Sequence, residues 1–287
     1  MTLTPSILTS VKKRLYLLIN LPLIKGLVNF IYRLYILKMT KETKVNAAIL
    51  IIGNEILSGR TQDTNTSTLA TWLNSIGVKV GEVRVIPDVE ETIISTLNHL
   101  RNIYNYVFTT GGIGPTHDDI TAESVSKAFG LKYEIHQEAY KILEAYYKPG
   151  EFNKGRQKMV WMPSNANLIL NPTSGAPGFN VKNVYCLPGV PSILKSMLGG
   201  LKNDIVGGDP IISKTISLRT VESEIADSLT KVQNENKDVE IGSYPFFQAG
   251  KLGVSIVLRS ENQSKIDECN SKILQFVNEK NIEIVER

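Results

Sequence analysis

The unbroken apolar run NAAILIIG, Asn46 to Gly53, constrains the fold more than any other stretch of this chain. A strand with one wet face alternates apolar and polar residues, whereas a run without polar positions must be covered on both faces. The segments that follow fit a sheet sandwiched between helices. NTSTLATWLNSIG places Leu69, Trp72, Leu73 and Ile76 at helical spacing and stops at Gly77. VKVGEVRVIPD predicts a second strand, VEETIISTLNHLRN a helix with Ile93, Ile94, Leu97 and Leu100 inward, and YNYVFTTGG a third buried strand. DITAESVSKAFG reads as a helix capped by Asp119 or Thr121 and stopped by Gly130. Strand and helix alternating in this order specify an α/β fold, a three-layer, mostly parallel sheet with helices on both faces.

Further along, QEAYKILEAYYKPG and FNKGRQKMVWMP are predicted helices. The apolar pieces Leu168–Leu170 and Val181–Leu187 flank a Pro/Gly-rich loop and predict paired strands with a long turn. VPSILKSMLGGLK closes this part as a helix. After VGGDP, Val206 to Pro210, the order becomes β-α-β-β-α-β, the ferredoxin-like arrangement of a small α+β domain. The aromatics of SYPFF are assigned to the core of that domain. The predicted organisation is an N-terminal extension over 1–44, an α/β domain over 45–205 and a small α+β domain over 210–287.

The formal charge of +4 is unevenly placed. Residues 1–38 carry six basic residues and no acid, so the remainder is −2. A basic balance suggests nucleic acid or membrane partners, but here it belongs to the tail, and the body gives no sign of nucleic acid. In that tail, Leu15 to Ile24 follows three basic residues, as in a signal peptide, yet no small-x-small cleavage site follows. Lys25 and Arg33 interrupt the apolar stretch before the ~20 residues needed to span a bilayer. Two readings stand side by side: a start at Met39 with the upstream residues misassigned, or a basic amphipathic segment on a membrane surface. Cys186 and Cys269 lie far apart and form no CxxC pair, which argues against a disulfide framework or structural zinc and fits a reducing, cytoplasmic setting.

The chemistry concentrates in TTGGIGPTHDDIT, Thr109 to Thr121. It is not a Walker A loop, since no Gly-Lys-Ser/Thr follows, and His117 stands where a dinucleotide fingerprint needs its third glycine. Gly111, Gly112 and Gly114 still let backbone N–H groups converge on an anion at a helix N-terminus. Asp118 and Asp119 would repel phosphate unless a cation lies between, and a divalent metal (Mg²⁺, Mn²⁺ or Co²⁺) meets that need. The plainer alternative is a helix cap at Asp119 and a solvated Asp118. In a parallel sheet the strand C-termini share one edge, so GNEILSGRTQDTN brings Gly53, Asn54, Glu55, Asp63 and Asn65 to it, and VIPD brings Asp88. Glu55, Asp88, Asp118 and Asp119 are thus expected at one rim, with Asp63 or Asp88 also suited to helix capping. His117 is read as an orienting donor rather than a ligand.

These pieces, with LILNPTSGAPGF and CLPGVPSILKSM, resemble the molybdenum-cofactor-biosynthesis (molybdopterin-binding) domain family, most of all the N-terminal part of competence/damage-inducible protein A. Residues 210–287, with ESEIA and IGSYP, resemble the small domain that follows there; the amidase domain of longer relatives has no counterpart. The resemblance implies a homo-oligomer that binds a small-molecule nucleotide or pterin. It implies roles for Asp119 and Asp88, for the loop residues Gly111, Gly112, Gly114, Thr116 and Thr121, and for Ser174, Gly175, Ala176, Pro177 and Gly178 as a second substrate-facing loop. Members that adenylylate molybdopterin carry basic residues where this chain has His117 and Asp118. That departure favours metal-dependent hydrolysis of a nucleotide pyrophosphate (ADP-ribose- or FAD-like), with Asp119, Asp88 and Asp118 catalytic and Asp118 and Asp119 holding the metal. The alternatives are a molybdopterin adenylyltransferase and a non-enzymatic binding protein.

Overall fold

A computed structural model describes residues 45–248 and 250–285; both readings of the tail fall outside the described residues. The α/β part runs β1 (Asn46–Ile52), α1 (Asn54–Leu57), α2 (Asn65–Ser75), β2 (Lys79–Ile86), α3 (Glu90–Ile103), β3 (Tyr106–Thr110), α4 (Thr121–Phe129), β4 (Tyr133–Ile135) and α5 (Gln137–Tyr146). It continues with α6 (Lys154–Lys158), β5 (Trp161–Pro163), β6 (Asn167–Ile169), β7 (Gly178–Val181), β8 (Val184–Leu187) and α7 (Pro191–Leu201).

Strand β1 shows why its sequence has no polar position after Asn46. Ala48, Leu50 and Ile52 enter a core with Ile93, Leu97 and Leu100 of α3 and Val125 of α4. Ala47, Ile49 and Ile51 enter a second core with Leu69 and Leu73 of α2 and Leu194 and Met197 of α7. Both faces are covered, and each side chain the size of Ile49 or Leu50 contributes about 1.5–3 kcal/mol on burial. The sheet order is β2-β1-β3-β8-β7-β6. The first four strands are parallel; β7 runs antiparallel to β8, and β6, antiparallel to β7, returns to the direction of the first four. The C-terminal ends of β1, β2, β3 and β8 therefore share one edge.

Three expectations are corrected. Val181–Leu187 is not one strand: Val181 pairs with Val184 across a turn in which Lys182 takes φ 51°. Asn183 pins that turn by donating to the carbonyls of Arg101 (2.9 Å) and Tyr104 (3.1 Å). FNKGRQKMVWMP is helical only over Lys154–Lys158, and Trp161–Pro163 forms a strand paired with β4, where no strand was predicted. The third concerns the small unit, β9 (Ile212–Leu218), α8 (Glu222–Glu235), β10 (Glu240–Gln248), β11 (Lys251–Ser260), α9 (Gln263–Glu279) and β12 (Ile284–Val285). Its antiparallel order, β10-β11-β9-β12, is ferredoxin-like, and its core joins Ile216, Leu218 and Ile256 to Ile225 of α8 and Ile273 of α9. Of the three SYPFF aromatics only one is buried. Tyr244 and Phe247 are exposed, and Phe246, though buried, lies against Gly253 of the neighbouring strand.

The connection between the parts is tied down. Gly208 donates its N–H to the Gly77 carbonyl (3.1 Å), Ile211 to that of Asn74 (3.3 Å), and Val206 to the Tyr106 hydroxyl (2.9 Å). Gly207 packs so closely on the Ile76 carbonyl that no side chain would fit there.

Candidate functional site

Strand β3 delivers the glycine loop to the shared edge. Gly111 has φ 99°, and a side chain on it would collide with the Ile52 carbonyl oxygen. Gly112 has φ 67° and lies against the Thr121 hydroxyl. Only glycine suits such backbone and such contact. The loop is stitched to the first turn of α4: Thr121 donates its hydroxyl to the Gly111 carbonyl (3.0 Å) and its N–H to that of Gly112 (2.9 Å).

Neither predicted cap caps α4. Its N-cap is Ile120, with no side-chain cap bond. Thr121 is occupied by Gly111, and Asp119 turns back to accept from the Thr116 N–H (2.7 Å) and hydroxyl. This brace shapes the loop and puts the Asp119 carboxylate 2.7 Å from where a Gly114 side chain would begin. Among the described residues the N–H groups of Gly112, Ile113 and Gly114 have no acceptor.

Three carboxylates gather beside the loop. Asp88 accepts from the Asn54 N–H (2.9 Å), and Glu55 and Asp118 lie close enough to act on its charge. The Glu55 carboxylate folds back over Gly53, 2.6 Å from where a Cβ would sit. Burial pushes the Asp88 carboxyl above its ordinary value; the Asn54 N–H opposes this, and Glu55 and Asp118 add to it. Asp118 is moved the other way, first by the Thr116 hydroxyl, then by its own backbone N–H and by the nearby His117 and Lys158. The Asp118 side chain is 61% exposed and its carboxylate stands 3.9 Å from His117 Nδ1.

Other predicted site residues serve the chain itself. Asp63 accepts from the N–H groups of Asn65 (2.9 Å) and Thr66 (3.3 Å) at the start of α2, as a helix cap does. Asn65 is buried and donates to the Gly189 carbonyl (2.7 Å), while its own side-chain oxygen has no partner among the described residues. The second loop is organised by Asn171, which bonds Ser174 Oγ (2.7 Å), the Ala176 carbonyl (2.8 Å) and the Ser174 N–H (3.1 Å). Gly175 packs on Tyr146, and Gly178 is already part of β7. Pro177 is the residue of this loop that reaches the recess beside Gly114 and Asp119.

That recess also contains residues the sequence reading passed over: Lys158, Trp161 and Tyr133. The Trp161 and Tyr133 rings lie 5.4 Å apart. Lys158 donates its ammonium to the Thr116 carbonyl. The cluster of basic residues in KGRQK was a visible sign of a cationic turn, but nothing local linked it to a loop 42 residues upstream. Among the described residues no three His, Cys, Asp or Glu side chains form a metal cage.

Comparison with known proteins bears on this loop. The family described as "Probable molybdopterin binding domain" matches residues 48–206, more than half of the chain. The chain belongs to this family. The family described as "FAD synthase, middle domain" matches residues 210–286. A protein of Archaeoglobus fulgidus is 32% identical over 233 residues, covering 81% of this chain and 98% of its own. A CinA-like protein of Syntrophus aciditrophicus is 31% identical over 230 residues, 76% of this chain and 55% of its own, so the chain spans about half of that relative. A crystal structure of CinA from Thermoplasma acidophilum, described as of unknown function, superposes with TM-score 0.53 at 32% identity, over 55% of this chain and 96% of that one. The molybdopterin-binding-domain fold and the likeness to CinA expected from the loops are thereby shown. Among the described residues no helix is long and apolar enough to cross a membrane.

Proposed function

We propose that the rim of the sheet binds a nucleotide pyrophosphate, ADP-ribose- or FAD-like, and hydrolyses its phosphoanhydride in the presence of a divalent ion. The observation that carries this reading is the pairing of a loop whose N–H groups lack acceptors with two neighbouring carboxylates biased in opposite directions. Opposed shifts in adjacent acids divide proton acceptor from charge holder. The raised Asp88 is the better base and takes the proton of the attacking water. Water adds to phosphorus, the bridging P–O bond breaks, and two phosphomonoesters leave. The N–H groups of Gly112, Ile113 and Gly114 stabilise the charge that grows on the phosphoryl oxygens.

The donor set fits a Mg²⁺-like ion, which binds through one or two carboxylates and substrate phosphates rather than in a protein cage. The exposed Asp118, held towards its ionised form, would be the first ligand, with Asp119 beside it. Such an ion would supply Lewis-acid polarisation of the phosphoryl group. The match of residues 210–286 to the FAD synthase middle domain supports placing FAD among the substrates to test.

The test is AMP release from ADP-ribose and FAD by the full chain, with Mg²⁺, Mn²⁺ or Co²⁺ and with EDTA. Metal-dependent release is expected, reduced roughly 100-fold or more in Asp88→Asn and abolished in Asp119→Asn with the fold retained. Unchanged turnover in Asp119→Asn removes that residue from the mechanism, and no release from either compound ends the hydrolytic reading. The family description favours a second reading, binding of molybdopterin, and adenylyl transfer to it from Mg-ATP is the reaction that reading would test. Adenylylated pterin formed from Mg-ATP, without pyrophosphate hydrolysis, would select it.

A further inference from the structure

We infer that Lys158 is the anion-binding cation of the glycine loop and takes a phosphate of the bound nucleotide. The inference rests on reading the loop as a nucleotide phosphate site, but not on hydrolysis. The loop sequence has carboxylates where phosphate loops usually carry a lysine; the fold brings the lysine from another segment. Lys158 is the last residue of α6, partly exposed, in the recess that also holds Gly114 and Asp119. It lies close enough to Asp118 to favour that carboxylate's charged form. The recess itself amounts to about 10 Å³, near the size of one water, so a phosphate would lie outside it, against the residues that line it, Lys158 among them.

The backbone around Lys158 is held without its help. Asn153 caps α6 by accepting from the Arg156 N–H (3.1 Å), Arg156 donates to the Glu151 carbonyl (2.6 Å), and Gln157 to that of Phe152 (3.1 Å). The Arg156 guanidinium also lies over the Tyr147 ring at 4.2 Å. Arg156 is paired with Glu151 (3.7 Å), and Lys127 with Glu90 (2.7 Å) and Glu123 (2.9 Å). Lys158 has no carboxylate within 4.0 Å among the described residues, and its one acceptor is the Thr116 carbonyl. An ammonium has three N–H donors, which leaves two to meet a phosphate at the loop. The tie to Thr116 holds the charge beside Gly114 in advance, so little side-chain freedom is lost when the anion arrives.

The test is calorimetric titration of ADP-ribose into the full chain in EDTA, with Lys158→Met, which keeps the apolar stem, and Lys158→Arg, which keeps the charge. Melting temperatures are measured alongside, and fluorescence of the adjacent Trp161 gives a second binding readout. Loss of a charged hydrogen-bonding partner predicts affinity about tenfold or more lower in Lys158→Met. Lys158→Arg is expected to stay within about threefold, with melting temperatures unchanged. Equal affinity in Lys158→Met, equal losses in both variants, or no ADP-ribose binding by the natural chain overturns the inference. Binding without turnover ends the hydrolytic reading and leaves this one standing; turnover with unaltered binding in Lys158→Met does the reverse.

Discussion

Gly111 is the position where backbone and packing are most tightly bound together, and Gly111→Ala tests both. Its φ of 99° lies outside what alanine adopts without strain, which costs about 1–3 kcal/mol. The new methyl would also strike the carbonyl oxygen of Ile52, with its carbonyl carbon at 3.3 Å. Those are backbone atoms of β1, buried on both faces, so relief requires moving one strand against another. Overpacking of that kind costs about 1–3 kcal/mol. The two together come to about 2–6 kcal/mol, or roughly 4–24 °C in Tm at about 2–4 °C per kcal/mol. Two further variants separate the contributions. At Gly130, φ is 63° and nothing lies within 4 Å, so alanine meets strain of about 1–2 kcal/mol alone. At Gly199, on the exposed face of α7 with nothing within 4 Å, alanine should stabilise by about 0.5–1 kcal/mol. Urea unfolding followed by circular dichroism gives all three. The reasoning is refuted if Gly111→Ala costs no more than Gly130→Ala.

Two other outcomes follow from single groups. Asp88 has a folded pKa above its ordinary 3.8, so its ionised form burdens the native state at neutral pH and the protonated form does not. Asp88→Asn, which keeps an acceptor for the Asn54 N–H, should therefore raise Tm at pH 7, and the gain should shrink as pH falls through the raised folded value and be gone below 3.8; a constant difference across that window would contradict the direction of the shift. Asp63→Ala removes the cap of α2 and should cost about 1 kcal/mol, measurable by urea unfolding, while leaving ADP-ribose affinity within about twofold; loss of affinity without loss of stability would make Asp63 a ligand contact instead.

What the sequence disclosed depended on whether a residue's surroundings are written beside it. Burial on both faces leaves no polar residue in β1 after Asn46, and positive φ at Gly111 and Gly112 restricts those sites to glycine, so strand and loop were both legible. The β7–β8 turn was not, because Lys182 takes a positive φ without being glycine, inside an apolar stretch. Trp161–Pro163 is too short a strand for its period to declare itself against a helix. Asp119 sits where a cap belongs, yet its preference for Thr116 depends on how the loop folds back. Lys158 was invisible for a different reason: a partly exposed lysine looks like any other until the fold sets it beside Thr116.

The anchored connection between the two parts makes α2 a strut. The helix has 11 residues, about 16 Å of rod. One end, at Asn74 to Gly77, is gripped by Gly208 and Ile211 as the chain enters the small unit. The other end carries Asn65, which holds the Gly189 carbonyl, and Gly189 in turn abuts Gly111. A pull on the small unit thus bears on the foot of a stiff lever whose head rests against the glycine loop. Cutting the chain after Val206 would do more than shorten it: the Gly77 carbonyl would lose its partner, the Asn74 carbonyl would keep only the Gly77 N–H, and the lever would lose its grip at the base.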